Sequence, residues 1–137
     1  MFAVVAFAGI DDALAANLSC KKANQSGTNG NDVLIATLIG ETINGKAGND
    51  VITGSSGDDR LCGQGGNDIL NGLDGDDFLK GGDGNDILTG DALDPPTISA
   101  DTYQCGEGID VIIENDGVLG NDTILDPEEC ELVMGVI

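Results

Sequence analysis

From residue 45 to residue 89 the chain repeats itself every nine residues, five times without a gap: GKAGNDVIT, GSSGDDRLC, GQGGNDILN, GLDGDDFLK, GGDGNDILT. Each unit has Gly at positions 1 and 4, Asp at position 6 and an apolar residue at position 8. So short a period prescribes a solenoid, in which units stack on one another rather than fold alone. The register begins earlier. Residues 27–35 (GTNGNDVLI) form a complete unit, and residues 36–44 a degraded one, with Ala36 and Ile39 in place of the glycines and Glu41 in place of the Asp. Residues 27–89 thus hold seven nonapeptides, six of them complete.

The chemistry of one unit dictates its shape. Positions 1–6 are rich in Gly, Asn and Asp, which supply turns and positive φ. Positions 7–9 make a very short strand, whose alternate residues face opposite sides. Position 8 reads Leu34, Ile43, Ile52, Leu61, Leu70, Leu79, Leu88, all aliphatic and expected inside. Position 9 reads Ile35, Asn44, Thr53, Cys62, Asn71, Lys80, Thr89, mostly polar and expected outside. Turn, strand, turn, strand closes a coil of 18 residues, and coils stack as parallel strands ~4.8 Å apart. The expected fold class is all-β: a right-handed parallel β-roll, a β-solenoid, with irregular terminal caps. Few aromatics (Phe2, Phe7, Phe78, Tyr103, no Trp) leave the burying to Leu, Ile and Val.

The 18-residue coil sorts the acids into two columns. Asp32, Asp50, Asp68 and Asp86 fall on one edge, and Glu41, Asp59 and Asp77 on the other. Carboxylates stacked one coil apart repel when bare. A hard dication between coils reverses that repulsion, and Ca2+ takes 6–8 oxygens from carboxylates and backbone carbonyls. Mg2+ fits worse, because it wants a smaller octahedral shell and keeps its waters. The whole chain has the same bias: 25 acids against 5 bases, a formal charge of −20. That excludes nucleic acid as a natural partner and destabilises a compact state unless something neutralises it. The absence of His removes imidazole metal sites and His-based catalysis. Near-matches to other sites fail. The stretch from Asp74 has Phe78 at the fifth EF-hand position and no closing Glu. The glycine loops carry carboxylates and no Walker lysine. Every acid pair suited to a glycosidase is explained by the repeat.

The units resemble the G-G-x-G-x-D-x-U-x nonapeptide of the RTX (repeats-in-toxin) family of calcium-bound parallel β-rolls. The resemblance covers residues 27–89. It implies that the loop Asp and loop oxygens of one turn hold Ca2+ together with the loop one coil further on. The implied ligand-bearing residues are Asp32, Asp50, Asp59, Asp68, Asp77 and Asp86, with Gly27, Gly45, Gly48, Asn49, Gly63, Gly66, Asn67, Gly81 and Gly84. Three sites would lie between loops 27–32, 45–50, 63–68 and 81–86, and a fourth between 54–59 and 72–77, so about four ions or more. The degraded unit weakens a site shared with Asp59. The implied function is calcium binding coupled to folding, without catalysis.

Residues 1–10 are apolar, and Ala13-Leu14-Ala15 resembles the cleavage site of a secretory signal peptide. The run is too short to span a membrane. Residues 1–16 are thus expected to be an export signal, or else a cap on the solenoid, followed by a lead-in over 17–26. An exported chain would sit in calcium-rich extracellular surroundings. Cys20, Cys62, Cys105 and Cys130 behind such a signal suggest two disulfides, with three possible connectivities. Zinc is disfavoured by the lack of a C-x-x-C pair. Some exported RTX-like proteins place one Cys before the repeats, one inside a repeat and a pair near the last. That resemblance implies Cys20–Cys62 and Cys105–Cys130.

Beyond residue 89 the register breaks. Residues 90–99, with Pro95-Pro96, are expected to be a loop, since proline cannot donate to a ladder. Degenerate repeats return over 100–125, around Asp101-Thr102-Tyr103, Asp110-Val111-Ile112 and Asp122-Thr123-Ile124. They extend the roll or form an irregular cap. Residues 126–137 end in an apolar tail suited to covering the open end. Two alternatives stay open: an extracellular adhesin or other partner-binding surface built on the roll, and a detached repeat domain of a larger secreted protein.

Overall fold

Wherever the repeat places an aliphatic residue at position 8, the backbone extends. The computed structural model describes residues 20–91, 99–114 and 122–135. The expected signal or cap over 1–16 lies outside these residues, as does most of the proline-containing stretch. Among the described residues a single 3-10 turn, Cys20–Lys22, precedes twelve strands. They are β1 (Gln25–Ser26), β2 (Val33–Ile35), β3 (Thr42–Ala47), β4 (Val51–Thr53), β5 (Arg60–Gly65), β6 (Ile69–Leu73), β7 (Phe78–Asp83), β8 (Ile87–Asp91), β9 (Thr102–Glu107), β10 (Asp110–Glu114), β11 (Thr123–Ile124) and β12 (Cys130–Gly135). The odd-numbered strands form one six-stranded sheet and the even-numbered strands the other, each in sequence order. Neighbours are parallel throughout. The chain is therefore an all-β parallel solenoid, with two strands and two turns in each coil. Strand β1 lies ahead of the first nonapeptide and pairs with β3.

The register confirms the period and shows where it stretches. Ile43 lies opposite Leu61, and Leu61 opposite Leu79, a spacing of 18 residues. From β7 to β9 and from β8 to β10 the spacing is 24, so Tyr103 faces Leu79 and Ile112 faces Leu88. It is then 21, with Ile124 facing Tyr103. The extra residues of the 24-residue coil enter between Gly90 and Asp101, in a single turn. The strands on both sides keep their pairing, so the degenerate repeats continue the roll.

The core is one file of side chains between the sheets. Leu34, Ile43, Ile52, Leu61, Leu70, Leu79, Leu88, Tyr103 and Ile112 are all buried. Burying each such aliphatic side chain fully is worth about 1.5–3 kcal/mol. Position 9 faces out, with one exception. Cys62 is fully buried because Cys20 is bonded to it across the outer face of the odd sheet (Cα–Cα 6.3 Å). A second disulfide joins Cys105 to Cys130 (Cα–Cα 5.5 Å). On the outer face of the even sheet, Val33, Val51, Ile69 and Ile87 stand exposed in register, one per coil.

Candidate metal centre

The site begins with a staple that every coil repeats. On the first edge, formed by turns 27–32, 45–50, 63–68, 81–86 and 105–110, each position-6 backbone N–H donates to the Oδ1 of the Asp one coil on. Asp32 donates to Asp50 (2.8 Å), Asp50 to Asp68 (2.7 Å), Asp68 to Asp86 (2.8 Å) and Asp86 to Asp110 (2.7 Å). The second edge, formed by turns 36–41, 54–59, 72–77 and 90–101, does the same through Glu41 to Asp59, Asp59 to Asp77 and Asp77 to Asp101. One oxygen of each accepting carboxylate is thereby fixed, which leaves the other to the turn.

That second oxygen separates the turns into two kinds. In the first kind it is orphaned. Oδ2 of Asp50, Asp68, Asp77 and Asp86 is buried without a hydrogen-bond partner, on residues only 1–2% exposed. Uncompensated burial of a polar atom costs on the order of 1–3 kcal/mol, and more for a charge, so these oxygens, a row of three on the first edge and Asp77 on the second, call for a positive partner. In the second kind the turn closes on its own acid. Asp32 Oδ2 accepts from the Thr28 N–H (2.6 Å) and hydroxyl (2.9 Å). Asp59 Oδ2 accepts from the Ser55 N–H (2.5 Å) and hydroxyl (2.8 Å). Glu41 Oε2 accepts from the N–H groups of Thr37 (2.6 Å) and Leu38 (3.2 Å).

The position-1 glycines border the orphaned oxygens. A Cβ on Gly45 would strike Asp50 Oδ2 and stand 3.0 Å from the Gly63 carbonyl; one on Gly81 would strike Asp86 Oδ2 and stand 2.7 Å from the Cys105 carbonyl. At Gly63 and Gly72 it would strike Asp68 and Asp77 Oδ2. Gly27 is set against Asp32 Oδ2 and the Gly45 carbonyl in the same manner. The position-4 glycines Gly48, Gly66 and Gly84 have φ of 113°, 113° and 127°, and each lies against the carbonyl of the position-4 glycine one coil earlier. Asn49 and Asn67 turn outward, where Oδ1 of each accepts the N–H of Asn67 and Asn85 respectively (both 2.9 Å). Their side-chain oxygens thus join coils. Around Asp50, Asp68 and Asp86 the donors converging on one edge are all oxygens, carboxylate and carbonyl. That set fits a hard divalent cation, and Ca2+ best.

The electrostatics agree. Burial pushes the Asp77 carboxyl up to about 8 and that of Asp86 to about 7, with the carboxylates of adjacent coils adding to the rise. Asp68 is raised by burial as well.

Two further acids continue the columns, Asp101 and Asp110, both buried. They fall outside the expected ligand set, because the 24-residue coil moves them out of the 18-residue count. The Asp-x-apolar triplets Asp101-Thr102-Tyr103 and Asp110-Val111-Ile112 are the signal that places them.

Among the described residues no helix is long and apolar enough to cross a membrane. Searches of curated proteins and of solved structures give no match. A family model does match: the RTX calcium-binding nonapeptide repeat (four copies), over residues 40–70 and 63–94. Repeats of this kind are a structural calcium-binding module, and the match contains the turns in which the four orphaned oxygens lie. Over residues 40–94 the chain is therefore similar to the RTX calcium-binding nonapeptide-repeat family.

Proposed function

We propose that this protein is an exported, non-catalytic calcium-binding β-roll whose folding is completed by the ions it holds. The observation that carries the reading is the row of buried, partnerless oxygens on Asp50, Asp68 and Asp86, with Asp77 on the opposite edge. Asp50, Asp68 and Asp86, with the carbonyls of Gly63 and Cys105, are the residues that would hold the ions along the first edge. Bound Ca2+ supplies positive charge where stacked carboxylates otherwise repel. A chain at −20 with 22 glycines gains little from folding until that charge arrives. Two disulfides support an oxidising compartment outside the cytosol.

Circular dichroism in chelator and in millimolar calcium tests the coupling. The expected outcome is a largely disordered chelated chain that gains β structure and a cooperative melt on adding calcium. Full β structure in chelator, unchanged by calcium, would overturn the reading. The exposed file of Val33, Val51, Ile69 and Ile87 favours a second reading, in which the loaded roll also presents a surface to an extracellular partner.

A further inference from the structure

The residue at position 2 differs between the two kinds of turn. In turns 45–50, 63–68, 72–77 and 81–86 it is Lys46, Gln64, Leu73 and Gly82, all at positive φ (85°, 82°, 83° and 121°). There it is paired within its sheet: Lys46 with Gln64, Gln64 with Gly82, and Leu73 with Asp91. In these turns the Asp Oδ2 has no partner. In turns 27–32, 36–41 and 54–59 position 2 is Thr28, Thr37 and Ser55, outside the left-handed region. The strands before those turns, β1, β2 and β4, end at position 9. The position-2 N–H then swings onto the acid. Position 4 follows: Gly48, Gly66, Gly75 and Gly84 have positive φ, whereas Gly30 and Gly57 do not.

We infer that position 2 sets which turns take calcium, and that Ser55 and Thr28 occupy with their own amide and hydroxyl the carboxylate oxygen an ion would use. The inference rests on the calcium reading above and deepens it. A hydroxyl residue at negative φ gives the acid two protein donors, so the turn is closed without metal. Where position 2 is at positive φ, its N–H does not reach the acid and the oxygen stays bare. The first edge therefore carries an uninterrupted run of bare oxygens on Asp50, Asp68 and Asp86. On the second edge Asp77 stacks on Asp59, whose turn is closed. The calcium ladder belongs to the first edge, and the site between turns 54–59 and 72–77 is switched off by Ser55.

The test is calcium stoichiometry, by isothermal titration and native mass spectrometry, on the full disulfide-bonded chain. Ser55→Gly frees position 2 to reach positive φ and removes the hydroxyl; it should add about one ion per chain. Ser55→Ala removes the hydroxyl but still disfavours positive φ; it should leave the count unchanged. Lys46→Ser should cost about one ion, because the turn can close on Asp50. Losing a lysine from an acidic edge would by charge alone favour calcium, so a lost ion there reports the turn. Wild type loading normally, with Ser55→Gly and Lys46→Ser at the wild-type count, would overturn this assignment and leave the calcium reading standing. Wild type taking up no calcium would overturn both.

Discussion

At position 4 of the turns 45–50, 63–68, 72–77 and 81–86, glycine is required twice over, by conformation and by space. Gly66 has φ of 113°, and a Cβ there would run into the Gly48 carbonyl. Gly65, one residue earlier, would place a Cβ no closer than 3.8 Å to Lys46 O, at an ordinary φ. Gly66→Ala should therefore cost on the order of 2–3 kcal/mol, and Gly65→Ala no more than about 0.5 kcal/mol, by chemical denaturation in saturating calcium. The acids divide by their place in the ladder: Asp68→Ala should weaken calcium binding more than Asp110→Ala, because the Asp68 turn has an 18-residue coil and a complete loop on both sides, which titration would show. These demands were legible in the sequence, since a glycine that recurs at one fixed position marks a place where no side chain fits. The state of each carboxylate was not. Lys46, Gln64 and Leu73 stand at positive φ without being glycine, so the letters hide which turns are open. Thr28 and Ser55 look like ordinary loop residues until their hydroxyls are seen on Asp32 and Asp59.

At the scale of the coil, stability comes from neighbours. Each strand is only two to six residues long, so none persists without the strands on either side, and most strands from β2 to β8 give the core a single buried aliphatic. The disulfides act at this level. Cys20–Cys62 closes a separation of 42 residues and clamps the first coils; Cys105–Cys130 closes 25 and clamps the last. Replacing Cys20 and Cys62 by Ser should lower the stability of the calcium-loaded protein by about 2–4 kcal/mol. The ion count should hold, because this bond lies on the outer face of the odd sheet, away from the carboxylate edges. A thermal melt beside a calcium titration checks both halves. The alternation of strand and turn could be read from the letters, and so could the inward file from Leu34 to Leu88. The burial of Cys62 at an outward position could not be read from the period, because its cause is a partner outside the repeat. The lengthened coil was hidden for a similar reason: two prolines and six extra residues break the count, while hydrogen bonds from Asp77 to Asp101 and from Asp86 to Asp110 carry the stack across the break.

For the whole molecule, the proposed calcium sites set proton and calcium in competition for one set of oxygens. Asp77 and Asp86 hold a proton in the metal-free fold up to about pH 8 and 7, against about 3.9 in an unfolded chain. The folded metal-free state thus binds more protons than the unfolded one between these limits, so its stability falls as pH rises. This contribution is fully present below about pH 4 and is lost as pH passes through about 7 to 8. With calcium in excess the sign reverses, because loading requires bare carboxylates. Melting curves should show opposite trends: in chelator the protein is more stable at pH 5 than at pH 8, and in excess calcium it is more stable at pH 8 than at pH 5. A chelated melt that does not move with pH would show that these acids are not buried in the metal-free state. The 24-residue coil has a separate consequence. All its added length enters one turn of the second edge, and pairing resumes on both sides of it. This architecture can therefore vary in length on one edge while the stack of Asp50, Asp68 and Asp86 on the other, proposed to bear the ions, keeps time.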